Sequence, residues 1–182
     1  MVNETEEKIL KAALKLFSQN GYAGATTKII AAKADFTEMT LYTKFQNKQN
    51  LFDQVMIYGM KKLNEDAVSI LFIEKEFEDP LDFLDTYVRN LDKFVWNNFE
   101  FFKLRFNQDR KMTEQFLMKG SYDFSKYIKK HIPNQKIDYM AFTLTIFSFV
   151  YMYNLGKYHG RQDTSIENVL DKFIYNISLL LH

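Results

Sequence analysis

Two prolines and six glycines are spread over 182 residues. An all-β fold of this length needs a turn about every ten residues, and Gly and Pro are the usual material of such turns. The chain lacks that material, so long helices with few breaks are expected. With 47% of its residues apolar, it has enough to bury a sizeable core.

The periodicity agrees. Ile9, Leu10, Ala13, Leu14 and Phe17 recur at three- and four-residue steps, which predicts a first helix over about 5–20. Asn3 and Glu6 have the spacing of a capping box at its start, and Gly21 supplies a residue suited to its end. Thr27 is expected to cap a short second helix holding Ile29, Ile30 and Ala34, with a tight turn at Asp35-Phe36. Thr37 is expected to cap a third helix reaching about Lys44, and Asn47 a fourth carrying Leu51, Val55 and Leu63. A break follows near Lys75–Pro80, where Asp79-Pro80 pairs a cap residue with proline at the first helical position. Further helices are expected at 80–97, 99–109, 112–131, 135–158 and 165–181. Thr164 and Glu167 have capping-box spacing at the start of the last, whose Ile166, Leu170, Phe173, Ile177 and Leu180 form a packing seam.

Several function classes find no support. There is no cysteine, hence no disulfide, thiolate metal site or cysteine nucleophile. His131, His159 and His182 are too far apart for a short ligand motif, so no metal or cofactor is expected. No Gly-rich phosphate loop, zinc-protease helix motif or nucleophile elbow occurs, so an enzyme is not expected. The start, MVNETEEKIL, carries acids and does not read as a secretory leader, which fits a reducing, cytoplasmic compartment. Tyr139–Gly156 is eighteen residues without a charge, but its Thr, Ser, Asn and Tyr content favours a helix buried in protein over one in a bilayer. No membrane partner is expected.

Net charge is +1 and does not by itself suggest nucleic acid. The N-terminal order does. Two short helices around a tight turn, following a longer one, make a helix-turn-helix centred on Thr27–Phe45. Its third helix would enter the major groove by Thr37, Glu38, Met39 and Thr40, which are small or flexible, and the methyls and hydroxyls of the threonines suit thymine methyls, phosphates and base edges. Leu41 and Phe45 would point into the core, Tyr42 and Lys44 toward the DNA backbone, and Lys48 would stand at the start of the next helix.

The segment ILKAALKLFSQNGYAGATTKIIAAKADFTEMTLYTKFQNKQNLF resembles the DNA-binding head of the tetracycline-repressor (TetR) family. Ala12-Ala13, Leu16-Phe17, Gly21, Thr26-Thr27, Ile30-Ala31, Ala34, Thr37, Thr40-Leu41-Tyr42, Phe45, Lys48 and Leu51 carry the likeness, over roughly residues 5–52. It implies a DNA-binding set of Thr26, Thr27, Lys28, Thr37, Glu38, Met39, Thr40, Tyr42, Lys44 and Lys48. The chain departs from the family at Asp35 and Met39, where Gly is common, and at Gln49, where Glu is usual. All four arginines, Arg89, Arg105, Arg110 and Arg161, lie outside the head. The bidentate arginine–guanine contact is therefore missing, and an A·T-rich operator is expected.

The fold class that follows is all-α: a three-helix helix-turn-helix head at 1–50, and a helical ligand-binding and dimerisation body at 51–182. Between Phe94 and Tyr153, sixteen of sixty residues are aromatic. Most should simply pack in the core, but Trp96, Phe99, Phe102, Phe106, Phe116, Tyr127 and Phe147 are candidates to line a small-molecule pocket. Glu100, Glu114 and Asp123 could face a cationic ligand, though surface positions suit them better. The uncharged helix near 136–156 and the seamed helix at 165–181 hold more apolar surface than one body can hide, which points to a homodimer. In the TetR family such a pair forms a four-helix interface. The reading is a DNA-binding transcriptional regulator, a repressor released from operator DNA by a small apolar or aromatic effector. The alternative is a helical partner-binding protein that does not bind DNA.

Overall fold

A computed structural model describes residues 3–108, 110–133, 136–160 and 168–181. The described residues form nine α-helices and no strand: α1 (Glu4–Gly24), α2 (Thr27–Lys33), α3 (Glu38–Phe45), α4 (Lys48–Asp66), α5 (Pro80–Asn97), α6 (Phe99–Phe106), α7 (Arg110–His131), α8 (Tyr139–Tyr158) and α9 (Val169–Ser178). A π-helical turn, Ala67–Leu71, follows α4, and a 3₁₀ turn, Leu179–Leu181, follows α9. The helices divide into two compact units. One is Met1–Glu65 with Asn98–Asp109; the other is Asp66–Asn97 with Arg110–His182.

In the first unit, the expected capping box opens α1. Glu6 N donates to Asn3 Oδ1 at 2.9 Å, and Asn3 N donates back to Glu6 Oε2 at 3.2 Å. The helical conformation breaks at Gly21, whose φ of 68° suits a residue without Cβ, and one more turn runs to Gly24. One correction concerns α2: its cap is Thr26, whose Oγ1 accepts Ile29 N at 3.2 Å, and not Thr27, whose hydroxyl is bonded elsewhere. A second concerns Ile29, which is 47% exposed although its neighbour Ile30 is fully buried. Adjacent helical residues point about 100° apart, so only the face of Ile30, Ala31 and Ala34 reaches the core.

That core joins Ile9, Leu10, Ala13 and Phe17 of α1 to Ile30, Leu41, Phe45, Leu51 and Val55, and Leu104 of α6 completes it. Each large apolar side chain buried there stabilises the unit by roughly 1.5–3 kcal/mol before entropy is counted. The packed unit thus extends through α4 and takes in α6, so a boundary after residue 50 marks the helix-turn-helix and not the folded body that holds it.

In the second unit, α8 packs on α5 and α7, and α9 on α5. Asp138 caps α8 through Ala141 N at 2.9 Å. Phe149 of α8 stacks on Phe173 of α9 with centroids 3.7 Å apart. Asn154 is fully buried and donates to Asp92 Oδ1 at 2.7 Å, while Arg89 bridges Asp85 on its own helix and Asp171 of α9. The expected eighteen-residue uncharged helix is α8, but one stripe of it, Ala141, Thr145, Ser148 and Met152, remains exposed. Among the described residues no helix is long and apolar enough to cross a membrane, and no group of three or more acids and histidines could hold a metal ion. Thr164, Glu167 and Ile166, invoked for the last helix, and His182 lie outside the described residues.

Candidate DNA interface

The turn between α2 and α3 fixes how α3 is presented. Asp35 takes a left-handed φ of 62°, Asp35 N donates to Ala32 O at 3.2 Å, and Phe36 N reaches back to Ala31 O at 2.9 Å. This is a Schellman ending for α2, with Asp where Gly is the usual choice. Phe36 then packs against the head core, and Thr37, in extended conformation, caps α3 through Thr40 N at 3.1 Å. Leu41 and Phe45 are buried and anchor the inner face of α3, as the sequence predicts.

The far end of α3 is held by a strained residue. Gln46 has φ 65° and ψ −47°, and Asn47 N donates across it to Phe45 O at 2.7 Å. A γ-turn of this hand is rare and strained. It is supported by Asn50 Nδ2, which also donates to Phe45 O at 2.9 Å, and by Asn47 Oδ1, which accepts Asn50 N and so caps α4. The strain is what redirects the chain from α3 into α4 within two residues.

The ten predicted DNA-binding residues all lie on α2, α3 and their caps or at the start of α4, but they differ in what their side chains still have to offer. Thr27 is buried. Its hydroxyl donates to Glu38 Oε1 at 2.6 Å, and Tyr42 Oη lies 3.3 Å from Thr27 Oγ1. Since Thr27 has one proton, Tyr42 must be the donor in the second contact. The three form a relay running Tyr42 to Thr27 to Glu38, which links the first turn of α2 to both turns of α3. Lys44 pairs with Glu6 of α1 at 3.4 Å. Lys48 lies 4.5 Å from the centroid of the Tyr22 ring, and Tyr22 packs on Phe17 and Phe52.

Thr26, Lys28, Thr37 and Met39 are exposed, and Thr40 is half-buried. Lys28 and Lys33 make no ion pair among the described residues and are available to phosphates. Lys8 and Lys11 are instead paired with Glu4 and Glu7 along α1. Two further side chains join this surface without having been predicted for it: Ile29 and Thr43, whose hydroxyl donates to Met39 O at 2.9 Å. The register of Ile30, Ala31 and Ala34 was the signal that Ile29 must face outward.

The predicted pocket residues do not gather in one unit. Phe99, Phe102 and Phe106 belong to the first, with Phe99 and Phe102 buried; Trp96, Phe116, Tyr127 and Phe147 belong to the second. Trp96 is 44% exposed, with Lys157 Nζ 4.9 Å from its ring centroid. Glu114 and Asp123 are exposed, as surface carboxylates should be. Tyr127, in contrast, enters a ring cluster with Phe72, Phe77, Phe83, Tyr87 and His131 that periodicity alone did not reveal. Its hydroxyl donates to Ile73 O at 2.9 Å. Burial raises the pKa of Tyr87 and Tyr127 and, with help from Lys130, lowers that of His131, so all three favour their neutral forms. His131 Nε2 is buried there without a hydrogen-bond partner.

Residues 9–55 match the family described as bacterial regulatory proteins, tetR family. The HTH-type transcriptional regulator YhgD of Bacillus subtilis (strain 168) is 36% identical over 64 residues, which are 35% of this chain and 34% of that protein. The match thus spans about a third of that relative's length. Solved structures resemble nearly the whole chain. The fatty acid degradation regulator FadR from Bacillus halodurans superposes with a TM-score of 0.65 at 16% identity, over 98% of this chain and 95% of the other. AibR, in complex with isovaleryl coenzyme A and operator DNA, gives 0.64 at 19% identity, over 94% and 96%. At these identities the likeness is one of fold. Residues 9–55, which hold the capped α2–α3–α4 head, thus carry the segment typical of the tetR family of bacterial regulatory proteins, and the chain shares its helical fold with these solved structures.

Proposed function

We propose that the protein is a cytoplasmic, homodimeric repressor that holds operator DNA with α3 and its flanking caps and is released when a small apolar molecule binds the helical second unit. The observation that carries the DNA half is the presentation of α3. Its inner face is anchored by Leu41 and Phe45, its entry by the Asp35 turn, its exit by Gln46, and its outer face is left to solvent. A helix held this firmly loses little freedom when it enters a groove.

The dimer reading rests on α8 and α9. The exposed stripe of α8 carries no charge, and Tyr175, Leu179 and Leu180 are exposed on and just beyond α9. A surface of this kind is suited to a second copy. Two-fold symmetry would then set the recognition helices about one DNA turn apart, roughly 34–36 Å. The effector reading rests on the apolar, ring-rich second unit and on the acyl coenzyme A that AibR holds in its complex with operator DNA. The effector need only favour the state with the wrong head spacing by a few kcal/mol to empty the operator.

The test is selection of duplexes from a random library by the full-length protein, followed by titration of the selected site. A palindromic site, bound by wild type and lost on Tyr42→Ala or Lys28→Ala, supports the reading; recovery of no site would leave a partner-binding helical protein. Addition of short- and medium-chain acyl coenzyme A thioesters to the bound complex tests release. Failure of every such apolar compound and of a cell extract to weaken the complex removes the effector half.

A further inference from the structure

The polar side chains of the recognition helix are largely engaged inside the head. Thr37 Oγ1 accepts Thr40 N and lies 2.9 Å from Thr40 Oγ1. Thr43 gives its proton to Met39 O, Glu38 takes one from Thr27, Tyr42 gives its own to Thr27, and Lys44 is paired with Glu6. No arginine occurs before Arg89. Arg, Asn and Gln are absent from α2, the turn and α3 up to Phe45, and the one lysine of α3, Lys44, sits in its last turn and is paired with Glu6.

One side chain of α3 stands clear of this network. Met39, in the first turn, is 79% exposed, more than any other large apolar side chain among the described residues. It offers no hydrogen-bond donor. Its unbranched thioether is flexible and polarizable, so it adapts its contact to a small apolar group. In the major groove only one of the four bases presents such a group, the 5-methyl of thymine.

We propose that Met39 is the principal base reader of this protein and that it selects thymine through the 5-methyl group. The proposal rests on the DNA-binding reading above and deepens it: apolar contact takes the place that bidentate hydrogen bonding holds in arginine-bearing heads. Discrimination against cytosine then comes from the missing methyl as much as from the exchanged donor and acceptor. A deoxyuridine in place of the contacted thymine, which differs by that methyl alone, should be read as a wrong base.

The experiment uses the full-length protein and the duplex it selects. Each thymine is replaced singly by deoxyuridine and the dissociation constants are compared. At one position in each half-site, wild type should bind the deoxyuridine duplex roughly fourfold more weakly, the effect of one methyl-sized apolar group. Substituting both half-sites should cost roughly fifteenfold. A 5-methylcytosine·guanine pair at that position should bind more tightly than cytosine·guanine. Met39→Ala should bind thymine and deoxyuridine duplexes equally, and Met39→Leu should keep the preference. Because Met39 is exposed, neither variant should alter the thermal unfolding of the free protein. Equal binding of thymine and deoxyuridine duplexes by wild type at every position overturns the proposal while leaving DNA binding intact. So does a preference that persists in Met39→Ala. Selection of no duplex at all overturns the DNA-binding reading and this proposal with it.

Discussion

Thr27 commits its single hydroxyl proton to Glu38 while accepting one from Tyr42, and it does so from a buried position in the first turn of α2. The pair on either side of it belongs to the surface expected to meet DNA, so Thr27 acts on that surface by positioning. Replacing Thr27 with Val keeps the shape and removes the relay. Glu38 then loses a charge-assisted bond and Tyr42 its acceptor, a loss of about 1–2 kcal/mol in stability. Urea unfolding should show that shift, and the selected duplex should bind several-fold more weakly. Thr27→Ser should restore both; a Thr27→Val protein with unchanged affinity would mean that the relay does not shape the reading surface. At this scale the sequence was only partly legible. Adjacent threonines both suit a helix start, and the choice of Thr26 as the cap depends on an acceptor eleven residues after Thr27 that no local pattern reveals.

Helix starts and stops were the legible part of the element scale. Asn3-x-x-Glu6, Thr37, Asn47 and Asp79-Pro80 stand where helices begin, because caps are satisfied by neighbours in the chain. What packs on what was not legible. Helix α6 reads as part of the body, yet it completes the head core through Leu104 and meets α4 through Phe101. The approach of α4 to α6 depends on Gly59, which is buried in the middle of α4. A Cβ added there would overlap three atoms of the Phe101 ring, the farthest at 2.9 Å, and the ring is itself buried. Helix propensity favours Gly59→Ala by about 1 kcal/mol, whereas overpacking a filled site costs about 1–3 kcal/mol. With the Phe101 ring buried, the second effect should win. Gly59→Ala should lower the midpoint of thermal unfolding, and Gly59→Ala with Phe101→Leu should recover part of the loss. A more stable single variant would show that α6 can move away from α4 without cost. The same long-range packing explains why the predicted pocket residues divide between units: aromatic character marks burial but not which core a side chain joins.

For the whole molecule, the most informative sequence feature was Tyr139–Gly156, and its meaning changed once it was folded. Full burial within one chain would account for the absence of charge from Tyr139 to Gly156. The exposed stripe of Ala141, Thr145, Ser148 and Met152 is not accounted for in that way. Its neighbours Phe142, Ile146 and Val150 serve the unit's own core, so the stripe is chemically uncharged without an internal reason to be. The dimer proposed above would supply the reason. A charge placed on the stripe should therefore leave the protomer folded and divide the dimer, because a carboxylate buried against its symmetry mate is neither hydrated nor paired. Thr145→Glu combined with Met152→Glu should give a protein with wild-type helicity that sediments as a monomer at micromolar concentration. Its affinity for a duplex carrying both half-sites should fall about 10²-fold or more, since the second contact ceases to be intramolecular. Its affinity for a single half-site should match wild type, because α3 and its supports are untouched. A double variant that stays dimeric would place the contact between copies elsewhere and leave the uncharged face of α8 to another partner.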